Sequence, residues 1–254
     1  MFQLIKDKIN ERIANINTST AVSIAASICN HDTFSPLKCV NAGKDVALCG
    51  AGPSFVNYKP IEGALHVALN RALLNEKVRF DCFIADDWDG IRIIQKELLD
   101  YNCLKLFGHQ IGIDYKRQIP ESFRIDCGAK RYYTDSYYLG GYRSRFVCDI
   151  DKMAIGNMPN IALSAMQIIL FTRPKTVYLV GCDASDSGHF IKPKSETIDA
   201  TKQYNNDNKV TVSGNRVIEK WVELKRFAQA FYPDTKIVSI NPVGLKGLFE
   251  DSFQ

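Results

Sequence analysis

The sequence predicts an open, Rossmann-like α/β sheet of mainly parallel strands, with helices on both faces and a small lid region. Short apolar runs recur along the chain and stop at turn residues, which is typical of buried parallel strands. They lie at 46–49, 64–69, 80–85, 104–107, 176–180 and 236–240. Apolar or amphipathic helical segments separate several of these runs, and the first run ends in a glycine-rich turn. Strands that alternate with helices favour a parallel sheet.

Length and composition favour one α/β domain in this chain of 254 residues, of which 46% are hydrophobic and 24% charged. We divide it into a helical N-terminal extension over 1–44 and a core over 45–254, with a lid at about 190–214. The net charge of +4 suits an anionic ligand or an anionic membrane surface, but no basic run indicates nucleic-acid binding. Eight scattered cysteines without a CxxC pair predict reduced, buried thiols in a cytoplasmic protein and no zinc site.

The N-terminal extension is predicted to form an amphipathic helix over residues 3–15. Leu4, Ile5, Ile9 and Ile13 follow helical spacing beside charged neighbours. The helix could pack on the domain, pack on a second subunit, or lie on a membrane surface. We expect neither a signal peptide nor a membrane-spanning segment.

The first strand ends in a turn that could bind an anion. The turn consists of Gly50, Ala51, Gly52, Pro53 and Ser54. Its glycines allow positive φ and close approach, and the proline and serine suit the start of a helix. Free N–H groups at such a turn attract phosphate. The alternative is a tight strand-to-helix connection, because the third glycine of the dinucleotide fingerprint is absent.

The next two strands end in polar side chains at the edge where ligands bind open α/β sheets. Asn70 follows the second strand, and its amide can recognise a base or a ribose. His66 lies inside that apolar strand and is predicted to be a core residue. Asp86, Asp87 and Asp89 follow the third strand; they could hold a divalent metal or cap a helix over 91–99.

Two further groups extend the candidate site. In the tyrosine-rich and arginine-rich segment 131–145, Tyr137, Tyr138 and Arg143 could contact a sugar or base, or belong to a solvated hairpin. Asn157 and Asn160 precede a buried helix over 161–171, whose N-terminus is a second candidate anion site.

The strand over 176–180 opens into a polar loop that carries Gly181, Asp183 and His189. His189 is the candidate general base of this loop, or else a solvent-exposed histidine without a chemical role. An amphipathic helix over 217–231 and a last strand over 236–240 complete the predicted elements.

Three motifs together resemble the bacterial sialyltransferases of Rossmann-like fold and the related motility accessory factor and pterin diphosphokinase-like proteins. They are Gly50-Ala-Gly-Pro-Ser54, Val177-Tyr-Leu-Val-Gly-Cys-Asp183 and Ile240-Asn-Pro-Val-Gly244. The resemblance spans about residues 45–250. Ala51 stands where the sialyltransferases carry asparagine, and His189 follows its strand more closely than their histidine does. Both departures are closer to the motility-factor branch.

The resemblance implies residue roles and an activity. Gly50, Gly52, Ser54 and Asn70 would hold the cytidine monophosphate of the donor, 157–160 would contact the donor, and His189 would be the base. The expected enzyme is a bacterial glycosyltransferase that moves sialic acid or a related nonulosonic acid from a CMP-sugar to a glycan acceptor, in lipopolysaccharide or capsule synthesis. No cofactor is then required.

The sequence leaves two alternatives open. One is a magnesium-dependent diphosphokinase of a pterin-like substrate, with Asp86, Asp87 and Asp89 at the metal. The other is a non-catalytic accessory protein. The chain is expected in the cytoplasm, with peripheral membrane contact and homo-oligomerisation left open.

Overall fold

The computed structural model describes residues 26–110, 115–135, 145–184 and 214–254, together with six isolated residues before position 26. Within these ranges, eight parallel strands form one sheet in the order β5-β4-β3-β2-β1-β6-β7-β8. The strands are β1 (Asp45–Cys49), β2 (Leu65–Leu69), β3 (Cys82–Ala85), β4 (Leu104–Gln110), β5 (Lys130–Thr134), β6 (Thr176–Val180), β7 (Lys236–Ile240) and β8 (Glu250–Ser252). The predicted open parallel α/β sheet is confirmed.

Helices and 3₁₀ turns connect the strands. In the described part of the chain the α-helices are α1 (His31–Phe34), α2 (Trp88–Ile91), α3 (Gln95–Asp100), α4 (Glu121–Asp126), α5 (Ile161–Phe171) and α6 (Gly214–Phe231). The 3₁₀ turns include Pro53–Asn57 after β1 and Asn70–Leu74 after β2. No helix among the described residues is both long enough and apolar enough to cross a bilayer.

Two apolar layers cover the two faces of the sheet. Val46 and Leu48 of β1 point into one layer, which is built largely from α5 and α6. Ala47 and Cys49 of the same strand point into the other, which contains the short helices and the 3₁₀ turns. Successive side chains of a strand face opposite sides, so a strand that is apolar throughout requires cover on both faces.

Four elements differ from the expectations. The helix predicted over 91–99 begins earlier and is divided into α2 and α3, where Ile94 leaves helical geometry; the β-branched Ile93 and Ile94 disfavour a continuous helix at this point. The glycine turn after β1 was expected to start a helix, but it leads instead into a 3₁₀ turn of five residues. Strands β5 and β8 were not predicted, because their sequences are polar for buried parallel strands.

The thiols are free, as predicted, since no disulfide links the eight cysteines. Cys49 and Cys127 are buried, but Cys39 is exposed, so the prediction of burial is wrong for that residue. His66 is buried, as predicted, and its Nε2 lies 2.9 Å from the hydroxyl of Tyr58. Burial lowers the pKa of His66, which keeps the ring neutral.

Candidate functional site

The candidate site lies where the chain reverses its direction across the sheet. From β1 the chain adds β2 to β5 on one side, and then returns to add β6, β7 and β8 on the other. The connections after β1 and β6 therefore leave in opposite directions, and this topology is the one in which a crevice is expected at the C-terminal ends of two neighbouring strands. Ligands of open α/β sheets bind at this position.

The glycine turn forms one wall of this crevice, and three of its backbone N–H groups already have acceptors. Gly50 N donates to the Val180 carbonyl at 2.7 Å, and Gly52 N donates to the Gly181 carbonyl at 2.8 Å. Ser54 N donates to Asp183 Oδ2 at 2.9 Å, and the Ser54 hydroxyl donates to Asp183 Oδ1. The β6 turn therefore takes up donors that the sequence assigned to a phosphate.

The glycines are required by the close approach of the two turns. A Cβ on Gly50 would lie 2.6 Å from the Gly181 carbonyl oxygen, and a Cβ on Gly52 would lie 2.5 Å from Asp183 Oδ2. Gly181 itself has φ +61°, a left-handed conformation that favours glycine. Gly244, in the turn after β7, is also crowded, because its Cβ would lie 2.7 Å from the Asp183 carbonyl oxygen.

Asn70 lies at the end of β2, on the other side of β1. Its φ of +48° is one that asparagine tolerates better than most residues. Gly90 packs against its side chain, since a Cβ there would lie 2.7 Å from Asn70 Oδ1. The strand end and the start of α2 are thus in contact, and α2 limits the space in which the Asn70 amide could meet a ligand.

The three aspartates after β3 have separate roles. Asp87 Oδ1 caps α2 by accepting from Gly90 N at 2.8 Å. Asp89 forms ion pairs with Arg117 at 3.3 Å and Arg92 at 3.8 Å. Among the residues that the structure describes, no group of three or more His, Cys, Asp or Glu side chains is arranged to hold a metal ion.

Asp86 is a buried carboxyl bonded to a tyrosine. The Tyr132 hydroxyl of β5 donates to Asp86 Oδ1. Burial is the largest cause that raises the pKa of Asp86, to about 7, while the hydrogen bond from Tyr132 acts to lower it. Gly108 of β4 leaves the necessary room, because a Cβ there would lie 2.6 Å from Asp86 Oδ1. This strand end therefore holds a carboxyl that can exchange a proton near neutral pH.

Asn157 and Asn160 lie beside the start of α5. Asn157 is buried, and its backbone N–H donates to Asp135 Oδ1 at 2.8 Å. Asn160 is the N-cap of α5, with its side-chain oxygen accepting from Ala162 N at 2.8 Å. The side-chain oxygen of Asn160 is thus used to cap α5. Asp135, directly after β5, holds the loop that precedes α5 through Asn157.

The remaining predicted site residues divide into two groups. Gly181 and Asp183 lie in the crevice, as described. His189, Tyr137, Tyr138 and Arg143 lie outside the described residues, as does nearly all of the lid predicted at about 190–214. Their assignment to the site stays a prediction.

Tyr132 was not predicted as a residue of the C-terminal edge of the sheet, where it contacts Asp86. In the sequence, Tyr132 belongs to the tyrosine-rich and arginine-rich segment 131–145, which contains no apolar run. The signal available in the sequence was the strand propensity of Tyr132, Tyr133 and Thr134. The alternation of buried Tyr132 and Thr134 with less buried Arg131 and Tyr133 appears only in the structure. Asp135 was also missed, because its position at the C-terminal end of β5 could not be predicted without that strand.

The chain matches no protein-family model, and no curated protein matches its sequence. Solved structures are similar at low identity. The sialyltransferase CstII from Campylobacter jejuni, in complex with the substrate analogue CMP-3FNeuAc, is 11% identical over 82% of this chain and 85% of that chain, with a TM-score of 0.46. The monofunctional α-2,3-sialyltransferase Cst-I from the same organism is 11% identical over 78% and 75%, with a TM-score of 0.44.

A third similar structure is the MAf glycosyltransferase from Magnetospirillum magneticum AMB-1. It is 12% identical over 92% of this chain but only 38% of that chain, with a TM-score of 0.46. Structures from both groups that the sequence motifs resemble are therefore similar to this chain.

Proposed function

We propose that the protein is a glycosyltransferase that moves sialic acid or a related nonulosonic acid from a CMP-sugar to a glycan acceptor. The observation that carries the proposal is the switch point between β1 and β6, where open α/β sheets bind nucleotides and where the Gly50–Ser54 turn lies. The choice of a CMP-sugar is supported by the motifs that begin at Gly50, Val177 and Ile240.

The roles of the described residues are supported by their positions at the C-terminal ends of the strands, and those of the other residues by the sequence alone. Gly50 to Ser54, Asn70 and Gly181 to Asp183 would surround the nucleotide, and Asn157 to Asn160 would contact the donor from the start of α5. Tyr137, Tyr138 and Arg143 would contact the donor or the acceptor. The chain would act in the cytoplasm, close to the membrane surface where glycan precursors are assembled.

In the proposed reaction, an acceptor hydroxyl oxygen attacks the anomeric carbon of the donor sugar. The bond from this carbon to the phosphate oxygen breaks with its electron pair on the phosphate, and CMP leaves. His189 takes the proton of the hydroxyl. Because CMP is a good leaving group, the protein has to stabilise the phosphate charge and deprotonate the acceptor, and the reaction does not require a metal.

A thermal-shift panel of CMP, UMP, GDP, ADP and ATP, each with and without magnesium, tests the nucleotide class, because a ligand of the native state raises the melting temperature. We expect selective stabilisation by CMP without metal. Stabilisation by ATP only in the presence of magnesium would instead support the diphosphokinase alternative. No shift with any nucleotide, together with a stable oligomer, would support the accessory role.

Replacing His189 tests the base. His189→Ala should lower the rate of transfer from CMP-sialic acid by about 10²–10⁴-fold while leaving CMP affinity nearly unchanged, because a general base acts on the chemical step. The matched control is His31→Ala, which removes an exposed histidine of α1. Turnover of His189→Ala equal to that of the control would remove His189 from the mechanism.

A further inference from the structure

We propose that the Asp183 carboxylate permanently fills the anion position of the Gly50–Ser54 turn. The turn then excludes phosphate and contacts an uncharged part of the bound nucleotide. This runs against the usual expectation for a glycine turn after the first strand of such a sheet, where N–H groups bind phosphate. Three observations carry the inference.

The first observation is that the donors are already used. Asp183 accepts from both Ser54 N, at 2.9 Å, and the Ser54 hydroxyl, so one carboxylate makes the two contacts that a phosphate oxygen pair would make. Gly50 N and Gly52 N donate to carbonyl oxygens of Val180 and Gly181. A phosphate at the turn would have to displace these acceptors.

The second observation is the lack of space. Even a methyl group on Gly52 would lie 2.5 Å from Asp183 Oδ2 and 2.6 Å from the Gly181 carbonyl oxygen. The backbone of the Asp183 segment is anchored as well, because its carbonyl oxygen accepts from Gly244 N at 2.8 Å. The carboxylate therefore sits on a segment tied to both β1 and β7, and it cannot swing away without breaking these contacts.

The third observation is charge. Asp183 is buried, with 6% of its surface exposed, and water screens it weakly. The hydrogen bonds that it accepts come from uncharged donors of Ser54. A negative phosphate brought beside this carboxylate would be repelled, whereas a ribose hydroxyl or a base amine could donate to it.

The consequence for ligand recognition rests on the proposed function. If a CMP-sugar occupies the crevice, its ribose or base faces the turn, and its phosphate lies elsewhere along the strand edge. Asp183 is then a specificity-determining residue, because it selects which end of the nucleotide meets the glycine turn.

Anion rescue tests the filled position without assuming any nucleotide. Asp183→Ala removes the carboxylate and leaves the two Ser54 donors vacant. We expect sodium formate or inorganic phosphate, at tens of millimolar, to raise the melting temperature of Asp183→Ala by about 2 °C or more beyond its effect on the wild-type protein. The Asp183→Ala/Ser54→Ala double variant should lose part of this rescue. The control is Asp251→Ala, whose carboxylate accepts from Gly247 N outside the crevice.

The outcomes of the rescue experiment are distinct. Rescue confined to Asp183→Ala supports the proposal. Equal anion shifts in Asp183→Ala, Asp251→Ala and the wild-type protein would overturn it. So would a phosphate shift in the wild-type protein that disappears in Ser54→Ala, because phosphate would then reach the turn despite Asp183.

A second variant covers the case in which Asp183→Ala does not fold. Asp183→Asn keeps an acceptor for Ser54 N but removes the charge. In the wild-type protein the carboxylate keeps the phosphate of CMP away from the turn. Once the charge is removed the phosphate can approach the turn, so we expect the ratio of the Kd of cytidine to the Kd of CMP to rise about tenfold relative to the wild-type protein. An unchanged or lower ratio would overturn the inference. If neither cytidine nor CMP binds the wild-type protein, the proposed function fails, and the anion rescue still decides the role of Asp183.

Discussion

At the scale of single residues, the Asp86–Tyr132 pair shows how a buried polar group can persist at a strand edge. Both side chains are buried, and the tyrosine hydroxyl donates directly to the carboxyl. A buried hydrogen bond stabilises mainly because leaving either partner unsatisfied is costly. Burial nevertheless disfavours the charged form of the carboxyl and so raises its pKa. The stability of the protein therefore depends on pH.

The sign of this dependence follows from the raised pKa. The folded protein holds a proton on Asp86 up to about pH 7, whereas the ordinary pKa of an aspartate side chain is 3.8. The native state therefore binds more protons between these values, and its free energy of unfolding falls as the pH rises from about 4 to 7.

We predict that Asp86→Asn removes this fall, because an amide can still accept from Tyr132 but does not ionise. The gain in stability relative to the wild-type protein should be larger at pH 8 than at pH 5, by an amount of the order of a few kcal/mol. Urea unfolding at the two pH values measures it, with Asp100→Asn as the control for loss of an aspartate at an exposed position. A difference that does not change with pH would contradict the prediction.

At the scale of elements, the turns after β1 and β6 pack so closely that Gly181 is required for two separate reasons. Gly181 has φ +61°, and a Cβ on it would also lie 2.5 Å from the Gly50 carbonyl oxygen. Gly128 has nearly the same φ, +62°, but a Cβ on it would meet no atom within 4 Å. The two glycines therefore separate the cost of conformation from the cost of crowding.

We predict that Gly128→Ala lowers the free energy of unfolding by about 1–2 kcal/mol, the cost of a left-handed alanine. Gly181→Ala should cost a further 1–3 kcal/mol or so, because its Cβ would push the two turns apart. Chemical denaturation of both variants tests this comparison. Equal losses would show that the turns can relax, and that close packing does not explain the glycine at position 181.

At the scale of the whole molecule, the segment before β1 completes the sheet. Phe34 of α1 is fully buried in the apolar layer that contains α5. Asn30 covers the outer edge of β5: its Oδ1 accepts from Tyr133 N at 2.7 Å, and its Nδ2 donates to the Tyr133 carbonyl at 3.2 Å. An edge strand with unsatisfied backbone groups invites association with other chains, and this side chain blocks it.

We therefore predict that a chain beginning at residue 45 is less stable than one beginning at residue 26, with a melting temperature lower by more than about 5 °C. Loss of Phe34 removes buried apolar contacts, and loss of Asn30 exposes the edge of β5 to aggregation. Circular dichroism melting and light scattering measure the two effects. Equal melting temperatures would place the start of the cooperative unit at β1.

The sequence by itself determined the parallel sheet and its longer elements. The elements predicted at nearly their observed bounds are strands β1, β2, β6 and β7 and helices α5 and α6. A strand buried on both faces is a continuous apolar run in the sequence, and a packed helix shows helical periodicity, so both can be recognised locally. The sequence also predicted that the glycine turn and Asp183 lie at the same edge of the sheet, because the C-terminal ends of parallel strands lie together. Strands β5 and β8 were not predicted, because β5 is polar and β8 has only three residues, so neither contains an apolar run.

Only the tertiary structure decided how these strand ends meet. Ser54 and Asp183 are 129 positions apart, and no local pattern indicates that this carboxylate would take the donors of the glycine turn. Likewise, Asp86 acquires its raised pKa only because β5 brings Tyr132 beside it and the core excludes water. Local propensity specifies elements, whereas contacts between distant segments set the charge, space and hydrogen bonds of a site.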